Sequence, residues 1–173
     1  MAVDYFLKID GIEGESTDEK HAKEIEVATF AWCEEQSGTF AEGAGGGAGK
    51  VRMGNFTFTM HTSKASPKLM LACAKGDHIK SAVLTCRKAG GGQQEFYKLT
   101  FSDVMVSSYR TGSTSVSAEG ENDTTAGYHD GAPMDRVELN FAKIECEYRP
   151  QKNDGSLDNP VKTGYNLKTN TVV

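Results

Sequence analysis

Apolar residues recur at every second position along much of this chain, and that period puts one face of an extended strand on a core and the other in water. The pattern opens with Val3, Tyr5, Leu7 and Ile9 set against Asp4, Lys8 and Asp10. It returns at Ile25, Val27 and Thr29, at Phe56, Phe58 and Met60 against Thr57, Thr59 and His61, and at Ala82, Leu84 and Cys86. Tyr97, Leu99 and Phe101 alternate, followed by Val104 and Val106, and Gly90 to Gly92 between Arg87 and Phe96 read as a hairpin connection. Between Arg136 and Arg149 the apolar parity changes near Ala142, from Val137, Leu139 and Phe141 to Ile144, Cys146 and Tyr148. A one-residue slip turns a strand inside out, so this change predicts a bulge or a strand that passes from one sheet to another, as at a barrel corner. The chain is therefore expected to be mainly β.

One helix is punctuated: Ser66 as N-cap, Pro67 at the first helical position, the run KLMLACAK, and Gly76 just past the end. Leu69, Met70, Cys73 and Ala72 make its apolar stripe. Two or three turns do not persist alone in water, so the helix must lie against the sheets. Ser16 and Glu19 have capping-box spacing, but the alternation from Ile25 onward competes with a helix there. Gln36 to Asn55, with GAGGGAGK from Gly43 to Lys50, and Thr111 to Asp135, acidic through Glu119, Glu121, Asp123, Asp130 and Asp135, read as long loops.

A length of 173 residues suits one domain over 1–173, large enough for a sizeable core without staples. The net charge of -5 and the lack of a Lys/Arg run argue against a nucleic-acid partner. No apolar stretch approaches the roughly 20 residues of a membrane span, and Asp4, Lys8 and Asp10 break the opening as a secretory signal. Cys33, Cys73, Cys86 and Cys146 stand singly, without the close pairs of zinc or redox motifs, and read as reduced small hydrophobes.

The glycine stretch fails the phosphate-loop pattern at Ala44 and Val51. The looser dinucleotide pattern at Gly43, Gly45 and Ala48 is followed by an alternating strand where a helix is needed. His21, His61, His78 and His129 show no metal-ligand spacing. His129 beside Asp130, and Glu34 beside Glu35, are the remaining catalytic candidates, but adjacent loop residues rarely face each other productively and two glutamates in a strand point to opposite faces. No Ser sits in a nucleophile elbow. Thr57, Thr59, His61, Lys98 and Ser102, on strand faces turned from the core, would make a wet surface, and strand edges would need closure or oligomerisation.

The order and spacing of several short pieces are more specific than any one of them: MAVDYFLKI, GES at 14–16, His21, Glu24 and Ile25, Trp32, QSG at 36–38, GGGAGKV ending at Val51, PKLMLACAKG, RKAGG at 87–91, VSS at 106–108, LNFAKI at 139–144 and YRPQK from Tyr148. From end to end the chain resembles the Hcp family, the tube-forming protein of bacterial type VI secretion systems. The resemblance implies a compact two-sheet β-barrel with one short helix at its side, like phage tail-tube proteins. It further implies homohexameric rings that stack into a hollow tube, carry small effectors, meet a contractile sheath, baseplate and spike, and leave the bacterial cytoplasm without a signal peptide. No catalytic residue, cofactor, metal, nucleic acid or membrane insertion is expected.

The inter-subunit loop it implies carries Gln36, Ser37, Gly38, Gly43, Gly45, Gly46, Gly47, Gly49, Lys50 and Val51. The 111–135 segment looks longer and more acidic than the family pattern, and no toxic domain is expected after the barrel. Two rivals remain: a monomeric small-ligand β-barrel, and a hydrolase using Glu34, Glu35 or His129.

Overall fold

The computed structural model describes residues 3–36, 50–88, 92–113 and 132–173. Among the described residues eleven strands and one helix run in the order β1 (Val3–Ile9), β2 (Ile25–Glu26), β3 (Thr29–Ala31), β4 (Glu34–Glu35), β5 (Arg52–Met53), β6 (Phe56–His61), α1 (Ser66–Lys75), β7 (His78–Lys88), β8 (Glu95–Gly112), β9 (Met134–Tyr148), β10 (Val161–Asn166) and β11 (Thr171–Val172). The class is mainly β with one short helix, as expected. Every ladder is antiparallel. That geometry suits one wet and one buried face per strand.

Nine strands form one sheet, in the order β11-β10-β9-β8-β7-β1-β2, with β6 joined to β9 and β3 to β6; β4 and β5 make a separate ribbon. Strand β9 carries the branch point. Its first half, from Met134 to Leu139, pairs with β6, and its second half, from Lys143 to Tyr148, pairs with β10. The parity change anticipated near Ala142 falls between these two halves. It is not a bulge in β9 alone: Phe101↔Ile144, Ser102↔Lys143 and Val104↔Phe141 stay in one register, so β8 and β9 turn over together. A true register shift lies further along, between Val106 and Ser108.

The expected barrel closure is not made. No single strand ladders to both β1 and β6. Between them runs the segment 25–31, which pairs with β1 as β2 and with β6 as β3. Two single backbone bonds fill in, Val27 N to Tyr5 O at 3.0 Å and Ala28 N to Thr59 O at 2.8 Å. The sheet thus wraps a core without a continuous ladder, because the segment changes partner after only two paired residues.

Phe56, Phe58, Phe101, Leu7, Leu84, Leu99, Val137 and Leu139 are among the fully enclosed side chains. Phe101 sits at the centre, its ring 4.7 Å from that of Phe56 and 4.9 Å from that of Phe141. Offset and tilted contacts of this kind add roughly 0.5–1.5 kcal/mol each beyond area burial.

Helix α1 buries Ser66, Leu69 and Ala72, a stripe at three-residue spacing, and ends at Gly76 in the left-handed conformation (φ 67°). Two details differ from expectation. Met70 faces solvent with Leu71. Ser66 does not cap the helix: its hydroxyl donates to Asp135 Oδ2 and accepts from Ser63 N. Asp135, expected in the acidic loop, is fully buried as part of β9 and also accepts from Thr62 Oγ1 at 3.1 Å. Thr111 and Gly112 likewise belong to β8, and Arg52 and Met53 inside the expected glycine loop form β5. Strand pairing therefore reaches further into both loops than their polar composition suggests.

Candidate functional site

Three places combine chemistry with accessibility, and each follows from the strand alternation. The first is the wet face of β3, β6 and the first half of β9. Phe56, Phe58 and Met60 point into the core, which turns Thr57, Thr59 and His61 outward. Thr29 on β3 stands opposite Thr59, and their hydroxyls lie 2.7 Å apart. Across the next ladder, Asn55 Nδ2 donates to Glu138 Oε2 at 3.2 Å and Asn140 Nδ2 donates to Asn55 Oδ1 at 3.0 Å. Thr29, Thr57, Thr59, Asn55 and Asn140 are short and uncharged, and Arg136 and Glu138 stand opposite Thr59 and Thr57 on the same face. Such a face stays hydrated and offers no sticky patch. Lys98 and Ser102, grouped with it by sequence, stand elsewhere, on β8 opposite Glu147 and Lys143 in the second half of β9.

The second place is a cleft of about 940 Å³ between the β4–β5 ribbon and the sheet edge formed by β9, β10 and β11. Trp32, Met53, Ile144, Cys146, Tyr165 and Val172 line it, with charge at the rim from Glu34, Glu35 and Lys50. Trp32 reaches it because β3 ends one residue earlier and the chain turns over the core edge, where its ring lies 6.4 Å from that of Phe141. Its Nε1 is buried and has no acceptor among the described residues. Gly164 on the cleft floor admits no side chain: a Cβ there would come within 2.8 Å of Ile144 O and 2.9 Å of Val173 Cγ2.

Of the expected loop residues, Gln36, Lys50 and Val51 line this cleft. Ser37, Gly38, Gly43, Gly45, Gly46, Gly47 and Gly49 lie outside the described residues, as do His129 and Asp130. Glu34 and Glu35 form strand β4; both are exposed and pair with Met53 and Arg52. No metal-sized group of three His, Cys, Asp or Glu occurs among the described residues, and no described helix is long and apolar enough to cross a membrane.

The third place is a buried charge cluster under the 13–24 loop. Arg87 is 4% exposed, bridges Asp18 at 2.8 Å and Asp4 at 3.3 Å, and holds its guanidinium 4.8 Å from the Phe6 ring centroid. His21 stacks on the same ring at 4.3 Å and places Nδ1 3.0 Å from Glu24 Oε2. The Arg87 hydrogen bond is the main reason that the Asp18 carboxyl is pulled down to about 2. Gly14 lets this loop close: a Cβ would lie 2.3 Å from Glu24 O. The arrangement fastens the loop to β7. Sequence reasoning missed the roles of Trp32, Arg87 and Asp135. The only signals were a tryptophan in a polar stretch and charged residues set in strand runs.

The chain as a whole is similar to known proteins. Residues 6–148 match the family described as "Type VI secretion system effector, Hcp". The chain belongs to the Hcp family. It is 44% identical over 172 residues to protein hcp1 of Pseudomonas aeruginosa, covering 98% of each chain. A solved type six secretion system protein superposes with a TM-score of 0.84 at 30% identity, covering 99% of this chain and 100% of the other. Hcp1 from Salmonella typhimurium does so with a TM-score of 0.72 at 35% identity, over 99% of this chain and 100% of that one. Membership of the Hcp family makes the chain a structural tube protein of a type VI secretion system.

Proposed function

We propose that this Hcp chain is the brick of a homohexameric ring, that rings stack into a hollow tube, and that the tube carries small effector proteins without performing chemistry. The full-length match to the Pseudomonas aeruginosa protein carries this reading. A ring needs a heterologous contact, one patch meeting a different patch with a rotation that closes. The polar face of Thr29, Thr57, Thr59 and Asn140 suits a bore wall, because hydrated short side chains pass cargo without holding it. In this reading the contact between subunits or rings includes residues of the 36–51 segment. Assembly takes place in the bacterial cytoplasm, with sheath, baseplate and spike as partners, and export follows.

A monomeric small-ligand barrel is disfavoured by the incomplete ladder between β1 and β6, since a barrel that holds a ligand depends on closure. Light scattering on the purified protein separates the two: the tube reading expects six times the 18.7 kDa subunit mass, and a stable monomer at micromolar concentration contradicts it.

A further inference from the structure

Both ring nitrogens of His21, which is 5% exposed, face carboxylates. Nδ1 lies 3.0 Å from Glu24 Oε2 on the same loop, and Nε2 lies 3.5 Å from Glu95 Oε1 at the start of β8. Nε2 is buried and completes no hydrogen bond among the described residues. A neutral imidazole carries a single N–H, so one of its nitrogens must turn a lone pair toward a carboxylate; only the imidazolium donates to both. The ring stacks on Phe6 of β1, with centroids 4.3 Å apart and planes within 6° of parallel. The other charges around it are largely matched. Arg87 of β7, also against Phe6, is held by Asp18 and Asp4, and Asp18 accepts from His21 N at 3.2 Å. Lys98 takes Glu95 Oε2 at 3.4 Å, Lys20 and Arg149 line the hollow beside Glu95, and Glu26 of β2 stands exposed opposite Phe6. Glu24 has no cationic partner but His21 among the described residues.

We infer that His21 is a proton-operated latch on the 13–24 loop: charged, it bridges Glu24 on the loop to Glu95 on β8 and holds the loop over Phe6, and uncharged it lets the Glu95 end go. The loop is built for such control, because its backbone bonds close on itself, among them Gly14 N to Lys23 O at 2.7 Å and Ser16 N to Glu24 O at 3.1 Å. Its polar ties to the rest of the molecule are Asp18 to Arg87, His21 to Glu95 and, near its start, Glu13 and Glu15 to Lys64. Imidazole ordinarily changes charge between about pH 5 and 8. Asp18, held down to about 2, stays ionised throughout that range, so its bridge to Arg87 is constant while the His21 bridge switches. Contacts that need the proton are present at the acid end of the range and lost as pH rises. The inference stands on this cluster and does not depend on the tube reading.

Amide hydrogen exchange of the full-length chain, read by mass spectrometry on peptides covering 13–24 and corrected for intrinsic rates, tests this from about pH 5.5 to 8. The charge state of the His21 ring is followed in parallel by NMR of labelled histidine. Protection of the loop should fall by about threefold or more as pH rises, in step with loss of the ring's charge. Glu95→Gln, at a partly exposed position, should flatten that dependence, and His21→Gln should abolish it. His61 and His78 are exposed and sit on other strands, so a pH dependence that survives His21→Gln belongs to them or to another group. Where His21→Gln does not fold, Glu95→Gln decides. Loop protection that is constant over the range, an undiminished pH dependence in Glu95→Gln, or a His21 ring already neutral at about pH 5.5 would each overturn the inference.

Discussion

Lys168, at the turn between β10 and β11, places its ammonium 2.7 Å from the carboxylate of Asp103, the residue at which β8 turns its faces over. Asp103 has a left-handed backbone (φ 52°). Two residues, not one, separate the core-facing Phe101 from Val104, and the same spacing separates Phe141 from Ile144 on the paired strand. Leu167 N donates to Ala142 O at 2.8 Å, so the β10–β11 turn is fastened to both long strands at this bend.

The backbone, more than the ion pair, gives Asp103 its importance. Exposed pairs contribute about 0–1 kcal/mol, whereas a side chain branched at Cβ in the left-handed region costs about 1–2 kcal/mol. Asp103→Gly should leave the urea-unfolding midpoint close to that of wild type, and Asp103→Val should lower it. Equal losses for the two variants would assign the effect to the lost carboxylate instead.

The buried acid Asp135 accepts from the Thr62 and Ser66 hydroxyls and ties the start of α1 to β9. Its neighbour Tyr109 is pushed up by burial and by the Asp135 charge. Asp135→Ala strands those hydroxyls and should cost about 2–3 kcal/mol, with Thr62→Val nearer 1 kcal/mol. Chemical denaturation checks this, and a loss under about 0.5 kcal/mol for Asp135→Ala would mean that water replaces the carboxylate freely.

Acid should loosen the 13–24 loop in a defined window. The folded carboxyl of Asp18 titrates at about 2, below its ordinary 3.8, with the Arg87 hydrogen bond as the largest cause. A depressed carboxyl contributes stability above its unfolded value and loses it as pH falls through the folded value. Wild-type stability should therefore decline between 3.8 and about 2, and Asp18→Asn should flatten that part of the profile in acid-unfolding curves. An identical slope in the variant would place the linkage on another group.

Thiol reactivity should divide by burial. Cys33 is exposed, whereas burial pushes the Cys86 thiol up to about 12 and keeps it protonated at neutral pH. Since the thiolate is the reacting form, maleimide at pH 7 should label Cys33 quickly and Cys86 only on unfolding. Early modification of Cys86, mapped by mass spectrometry, would show that β7 opens locally.

Most of the strand framework was legible because the two-residue period is a local signal, and the parity change at Ala142 marked the branch of β9. Ladder closure was not legible, since it depends on segment 25–31 changing partner after two pairs, which no local pattern records. The polar face of Thr57, Thr59 and His61 followed from the same alternation. Lys98 and Ser102 were misgrouped with it because periodicity says which face a residue takes and not which wing of a branched sheet. Ser66 resembled a cap because its actual partner, Asp135, lies 69 positions away in sequence. The roles of Trp32 and Arg87 likewise arise from distant strands meeting.

The most direct test of the account is the mass of the purified full-length chain by sedimentation velocity across concentrations from about 1 to 100 µM, bracketing the affinity that an obligate ring contact provides. The account predicts one closed species at six times the 18.7 kDa subunit mass, with longer stacks at the top of the range. A single 18.7 kDa species throughout would contradict it.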